Sequence, residues 1–291
     1  MTRVLITGSS GFIAKHLIRT LAERGDQVVG WDCMWPSKFG LGLAYDPEYD
    51  LHRPSSDVMK RFSSAVSQVD QVYHLAGNAD VGAYDTHPDL MAREWAMAAA
   101  VIGACADKKK PLVVASSAYA RGNNTRYGRT KKGIENMAYL AQMSGYPLST
   151  ARIFNIFGPG QEKAVTYKST VVLNLYRAFK KGEWSLKSPS ALRDFIYIDD
   201  AIQGLLHTML ATVQGDSCQH DICSGELMTI QDVGHTMAAL MGYTKVLNMP
   251  DPEAYEVPPY EFAGQPVIVP LVSLEEGLRR TIASLEETAS V

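Results

Sequence analysis

Along the first half of the chain, short apolar runs alternate with longer segments of helical periodicity. Arg3-Val-Leu-Ile-Thr7 is an apolar run with β-branched residues, and Gly8-Ser-Ser-Gly11 follows it. Over residues 12–24, Ile13, Leu17, Ile18 and Leu21 share one face of a 3.6-residue repeat, which predicts an amphipathic helix. Gly25-Asp26 ends it, and Gln27-Val-Val-Gly-Trp31 reads as a second strand closed by Asp32. Residues 33–49 are irregular and rich in Gly and Pro, with a third short strand expected to end at Tyr49-Asp50. A short helix is predicted over 57–64, a fourth strand over 71–75, a long Ala- and Met-rich helix over 90–107, and a fifth strand over 111–115. A helix over 127–143 and a sixth strand over 148–154 complete the series.

Strands that alternate with helices indicate βαβ units and a parallel sheet covered on both faces. Strands that are apolar throughout, without alternation, fit burial on both sides. After Asn155 the pattern loosens. Pro159, Pro189, Pro250, Pro252, Pro258, Pro259, Pro266 and Pro270 interrupt it, and a helix is predicted over 199–210. The expected fold is α/β, a doubly wound parallel sheet with a smaller C-terminal substrate lobe. Residues 1–155 form the cofactor-binding domain, 193–215 return to it, and 156–192 with 216–291 form the lobe.

Composition narrows the class. A chain of 291 residues suffices for one large domain or a domain with a lobe. Its 46% hydrophobic and 20% charged content is ordinary for a soluble globular protein. A net charge of -3 gives no reason to expect nucleic acid or an anionic membrane as partner. No apolar run reaches the length of a membrane span, and the first strand starts too early to leave room for a signal peptide. These features predict a cytoplasmic protein. Cys33, Cys105, Cys218 and Cys223 show no C-x-x-C pairing and no metal-type spacing with histidine, so reduced buried thiols and no metal are expected. Lys108-Lys109-Lys110 reads as a solvated helix terminus.

Two constellations carry candidate chemistry. Gly8-Ser-Ser-Gly-Phe-Ile-Ala14 follows the first strand and opens the first helix. Gly8 allows the tight turn, Gly11 lets the backbone approach a pyrophosphate, and Ala14 permits close helix–strand packing. Asp32, 24 residues after Gly8, is placed to bond a ribose 2′-hydroxyl and would repel a 2′-phosphate, which favours NAD over NADP. The second constellation is Tyr127-Gly-Arg-Thr-Lys131. Residues i and i+4 lie on one helical face, so phenol and ammonium point at one spot. A nearby lysine favours the phenolate, and such a pair moves a proton on or off an alcohol.

Together these parts resemble the extended short-chain dehydrogenase/reductase family, the nucleotide-sugar epimerases and dehydratases, over nearly the whole chain. Thr7-Gly-Ser-Ser-Gly-Phe-Ile13 is similar to the family's opening motif, which puts Gly8, Ser10, Gly11, Phe12 and Ile13 against the cofactor. Asp50-Leu51 resembles the pair that holds adenine. His74-Leu-Ala-Gly77 resembles the HLAA stretch, so Leu75, Ala76 and Gly77 line the cofactor. Ser117 matches the catalytic hydroxyl, and Tyr127 and Lys131 match the catalytic tyrosine and lysine, with Lys131 also bonding the nicotinamide ribose. Arg152-Ile-Phe-Asn-Ile-Phe-Gly-Pro159 and Arg193-Asp-Phe-Ile-Tyr-Ile-Asp-Asp200 are similar to two further motifs, which makes Asn155 and Arg193 substrate contacts. Asp221-Ile-Cys-Ser-Gly225 and Ser273-Leu-Glu-Glu-Gly-Leu278 resemble two late ones. The resemblance implies a Rossmann-type fold, NAD as cofactor, and a homodimer through the helices over 90–107 and 127–143. Ala96, Ala98, Ala99, Ala100 and Ala104 either permit that close approach or pack the helix inside the domain.

The chain also departs from the family. Ser117 and Tyr127 are only ten residues apart. In that short link Arg121, Asn123 and Asn124 read either as a solvated turn or as a more open pocket, with Arg121 or Arg126 facing an anionic substrate. The dehydratases and sugar-acid decarboxylases carry an acid just after the catalytic hydroxyl, where this chain has Ala118-Tyr119; that argues against dehydration. Trp95 stands near the family's usual asparagine, and Lys187-Ser-Pro-Ser-Ala-Leu192 lacks the usual G-D-G. No second phosphate-binding arginine stands clearly between Lys245 and Pro270, where Tyr255 and Tyr260 either replace contacts or are exposed. The leading expectation is an NAD-dependent epimerase of a nucleotide-activated sugar. The alternative is an NAD(P)-dependent ketoreductase or dehydrogenase of a keto-sugar or smaller anionic substrate in a tailoring pathway. A third, an NAD-binding scaffold without activity, is disfavoured by Ser117, Tyr127 and Lys131.

Overall fold

The computed structural model describes residues 1–36, 43–122, 125–163, 170–182, 185–186, 188–243, 247–248 and 263–289. In chain order the elements are β1 (Arg3–Thr7), α1 (Phe12–Glu23), β2 (Gln27–Trp31), β3 (Met34–Pro36), β4 (Leu43–Tyr45), α2 (Ser56–Ser67), β5 (Gln71–His74), α3 (Ala83–Thr86), α4 (Leu90–Asp107), β6 (Leu112–Ser117), α5 (Arg126–Met143) and β7 (Leu148–Ile153). There follow β8 (Asn155–Phe157), α6 (Val171–Lys180), β9 (Ser185–Leu186), β10 (Leu192–Tyr197), α7 (Ile198–Val213), β11 (Gln219–Ile222), β12 (Leu227–Thr229), α8 (Ile230–Leu240), β13 (Leu247–Asn248) and α9 (Leu274–Ala289). The main sheet has six strands in the order β11-β7-β6-β5-β1-β2, and β1 pairs in parallel with both β2 and β5. The chain therefore leaves β1 to one side for β2 and to the other for β5. That reversal opens a crevice at the carboxyl ends of β1 and β5, where ligands bind in such sheets.

Two compact units are present: Met1–Arg152 with Leu205–His220, and Ile153–Gly204 with Asp221–Val291. The expected division at 155, with 193–215 returning, is shifted. Residues 193–204 stay with the second unit because β10 pairs with β8 there, Phe195 opposite Asn155. The returning segment starts at Leu205 and runs on to His220.

In the first unit, Leu5, Trp31, Phe62, Val72, Met97, Val101, Leu112, Val114, Ile134 and Leu148 form one buried apolar cluster drawn from sheet and helices alike. No strand forms at Tyr49-Asp50. Asp46 Oδ1 accepts the Glu48 N–H at 2.9 Å and Asp50 Oδ1 accepts the His52 N–H at 2.9 Å. These side chains turn the backbone into a 3-10 helix at Pro47–Tyr49 instead. The stretch expected to be irregular contains an antiparallel hairpin, β3 with β4.

In the second unit, β10 lies between β12 and β8. Its Asp194 is fully buried and accepts the N–H and hydroxyl of Ser224 at 2.7 Å each, the Gly225 N–H at 3.0 Å and the Gly264 N–H at 3.2 Å. Asp200 accepts the Leu271 and Val272 N–H groups at 3.0 and 2.9 Å. The acids of the Arg193–Asp200 stretch thus satisfy loop backbone that would otherwise be orphaned. Of the thiols, Cys105 and Cys223 are buried as expected, but Cys33 and Cys218 are only half-buried. Cys218 Sγ lies 2.7 Å from His220 Nε2.

Candidate active site

The glycine turn sits at the carboxyl end of β1. Gly8 has φ +71°, and a Cβ there would lie 2.7 Å from the Ala76 N and Cα. Only glycine fits that approach to the segment after β5. Gly11 donates its N–H to the Gly8 carbonyl at 2.9 Å, and α1 starts at Phe12. No side chain caps α1 and no acid stands in its first turn. Its first N–H groups and the positive end of its dipole are therefore presented to a ligand, which is the cradle a pyrophosphate needs. Asp32, at the end of β2, accepts the Ser10 N–H through Oδ2 and the Met34 N–H through Oδ1, both at 2.8 Å. Each carboxylate oxygen keeps a lone pair, so Asp32 braces the turn and can still accept a ribose hydroxyl. Asp50 and Leu51 are buried nearby in sequence, after the 3-10 helix.

At the end of β5, Leu75 donates to the Thr7 carbonyl and Ala76 to the Thr7 hydroxyl, both at 3.3 Å. The same hydroxyl is 2.7 Å from His74 Nδ1. Burial, helped by the charges of Lys131 and His52, pushes His74 down to about 3, so the ring is neutral at ordinary pH. Gly77 follows with φ +155°.

The tyrosine helix, α5, is capped by Thr125, whose hydroxyl accepts the Gly128 N–H at 3.0 Å. Tyr127, Lys131 and Glu135 recur at every fourth residue and are all buried. The Tyr127 ring meets Tyr84 at 5.2 Å and Tyr119 at 5.6 Å between centroids, both edge to face, which fixes its plane. Lys131 Nζ stands 5.7 Å from the Tyr127 ring centroid and donates to Glu94 Oε2 at 3.1 Å. Burial pulls the Lys131 ammonium down, but Glu94 and Tyr127 more than offset it, so the group is held above the usual lysine value. Glu135 receives a two-pronged grip from Arg152, Nε to Oε1 at 2.7 Å and Nη2 to Oε2 at 2.8 Å, and a bond from Ser116 Oγ at 2.8 Å. Burial raises its carboxyl and Arg152 outweighs that, leaving it below the usual carboxylate range. Ser117 Oγ accepts the Tyr119 N–H at 3.3 Å and caps the 3-10 helix Ala118–Arg121. The cap uses a lone pair, and the hydroxyl proton remains available to donate.

The first unit thus brings together Gly77, Lys131 and Tyr127, with the Ser117 turn packed on α5 through Tyr119. In the second unit Asn155 and Arg193 occupy neighbouring strands. Asn155 Nδ2 donates to the Asp194 carbonyl at 3.0 Å, and the buried Arg193 donates from Nη1 to the Leu192 carbonyl at 2.7 Å. Arg121 is half-buried at the end of its 3-10 helix. Asn123, Asn124, Lys187, Tyr255 and Tyr260 lie outside the described residues. Sequence reasoning missed Glu94 and Tyr84. The signal for Glu94 was available: it falls on the helical face of Met97, Ala98 and Val101, and an acid on an apolar face needs a partner. Among the described residues no group of three His, Cys, Asp or Glu could hold a metal, and no helix is long and apolar enough to cross a membrane.

The crevice, the uncapped helix and the tyrosine–lysine face define an enzyme that works with a dinucleotide. The chain belongs to the NAD dependent epimerase/dehydratase family, which residues 4–222 match. It is 26% identical to a UDP-N-acetyl-alpha-D-glucosaminuronate decarboxylase of Bacillus cytotoxicus, over 98% of each chain. It is 27% identical to a probable UDP-glucuronate 4-epimerase of Rhizobium meliloti, over 70% of this chain and 67% of that one. A UDP-N-acetylglucosamine 4-epimerase from Methanobrevibacter ruminantium M1, in complex with UDP-N-acetylmuramic acid, shares the fold with a TM-score of 0.82 at 19% identity, over 99% of each chain.

Proposed function

We propose that the protein is an NAD-dependent epimerase of a nucleotide-activated sugar. The observation that carries this reading is the buried face of α5, where Lys131 stands between the Tyr127 ring and Gly77. The residues fit the cofactor. The α1 N-terminus would hold the pyrophosphate, Asp32 the adenosine ribose, Asp50 and Leu51 the adenine, and Lys131 the nicotinamide ribose. Bound NAD supplies reversible hydride acceptance. Tyr127 takes the proton of the sugar hydroxyl and returns it, and Ser117 donates a hydrogen bond to the same oxygen. Ala118 and Tyr119, after Ser117, offer no carboxylate to remove a proton beside a ketone, so epimerisation is favoured over loss of water. Asn155, Arg193 and Arg121 are assigned to the polar and anionic parts of the substrate. Trp95, Tyr139, Leu140 and Met143 are large apolar side chains left exposed on α4 and α5, which supports a homodimer through this face.

The test is direct. Purified protein is denatured and its supernatant assayed for NAD(H). Native protein is then incubated without added cofactor with UDP-glucuronate, UDP-glucose and UDP-N-acetylglucosamine, and products are resolved by NMR. Expected are bound NAD and an epimer of one of these sugars, with Tyr127→Phe slower by at least about 100-fold. Absence of bound or bindable NAD overturns the reading. The short Ser117–Tyr127 link, which begins with the 3-10 helix Ala118–Arg121, favours a second reading: net oxidation or reduction of a keto-sugar or smaller anionic substrate. A stoichiometric change in nicotinamide absorbance identifies that case.

A further inference from the structure

Glu94, the partner of Lys131 beneath Gly77, has no part in the steps above. Glu94 is fully buried on α4. Its Oε2 takes the Lys131 ammonium at 3.1 Å, and its Oε1 accepts the Asn78 N–H at 2.8 Å. A Cβ at Gly77 would stand 2.9 Å from Glu94 Oε2 and 3.0 Å from Lys131 Nζ, so the pair fills the space a side chain at position 77 would need. Glycine at 77 leaves that volume to the carboxylate and the ammonium.

An ammonium buried as deeply as Lys131 loses its charge readily without a counter-ion. It has three N–H donors; Glu94 takes one, and two remain for the ribose hydroxyls of the cofactor. We propose that Glu94 is a positioning residue that keeps Lys131 charged and aims its remaining donors at the cofactor. This deepens the function proposed above and rests on its use of Lys131. The titratable groups around the pair are Lys131 and Tyr127 from α5, Tyr84 from α3, and His74 from β5, with His52 also felt at His74. Burial and then Glu94 push the Tyr84 phenol well up, so it stays neutral beside the pair.

The experiment follows the ionisation of Lys131 itself. Protein labelled at lysine Cε with carbon-13 and loaded with NAD is titrated by NMR, with the Lys131 resonance assigned by its loss in Lys131→Arg. In the parent the midpoint should lie above the free-lysine value of about 10.4 despite its burial. In Glu94→Gln it should fall by about one pH unit or more. Glu94→Asp, which keeps the charge, should restore most of the difference. The alkaline limb of the kcat profile should move down with the midpoint. A parent midpoint below the free-lysine value overturns the proposal without any variant, and so does an unmoved midpoint in folded, NAD-binding Glu94→Gln. These outcomes are separate from failure of the epimerase reading, which shows as missing NAD or as full activity in Tyr127→Phe.

Discussion

His74 shows what one buried ring costs in acid. It is 2% exposed, bonded to Thr7, and pushed down to about 3, whereas an unfolded chain binds that proton near pH 6.5. Below that pH the unfolded state holds more protons, so stability falls as pH drops from about 6.5 towards 3. At pH 5 the loss from this residue is about 2 kcal/mol. Urea midpoints at pH 7 and pH 5 should differ in the parent, and His74→Asn should flatten the difference; an equal slope in both would exclude His74 as the cause. At this scale the sequence is most readable where partners are local. Gly8, Gly11, Tyr127 and Lys131 declare themselves by spacing of at most four residues. Glu94 does not, because its partner lies 37 residues away on another helix.

Among elements, α4 and α5 depend on one small residue. Gly133 faces Trp95, and a Cβ there would lie 2.6 Å from the indole Nε1, which donates to the Thr130 carbonyl at 3.0 Å. Gly133→Ala is therefore expected to displace the indole and destabilise the fold by about 1–3 kcal/mol, measurable by thermal melting and by Trp fluorescence. An unchanged melting point would show that the indole moves freely. The helix over 90–107 is legible to the residue, since nothing in that Ala-rich run competes with helix. The second unit is less so. Its proline count suggests little regular structure, yet α6, α8 and α9 form there because prolines fall between these helices and not within them. Thr229 and Asp232 then close a reciprocal cap at the start of α8.

For the whole molecule, the proposed homodimer makes the last prediction. Tyr139, Leu140 and Met143 are 60%, 63% and 68% exposed near the end of α5, an arrangement that water disfavours unless a second copy covers it. Leu140→Glu with Met143→Glu should give a monomer by analytical ultracentrifugation while leaving bound NAD unchanged. A parent that sediments as a monomer removes the dimer from the account. Apolar runs located β1, β2, β5, β6 and β7 of the main sheet, but not β11 at its edge. They could not place the boundary between the units, because membership of residues 193–204 follows from the pairing of β10 with β8, a partnership 40 residues apart in the chain (Phe195 with Asn155).

The grip of Arg152 and Ser116 on Glu135 has a further consequence. Glu135 lies two turns beyond Tyr127 on α5, about 12 Å along the axis. The forked bond pins that point of the helix to β6 and β7, so the helix cannot slide and the phenol keeps a fixed coordinate in the sheet's own frame. The reacting oxygen is thus indexed from the rear. In front of it stand two further anchors, the Tyr119 ring against the phenol ring and the Thr125 cap on the helix, so the phenol is held from both ends.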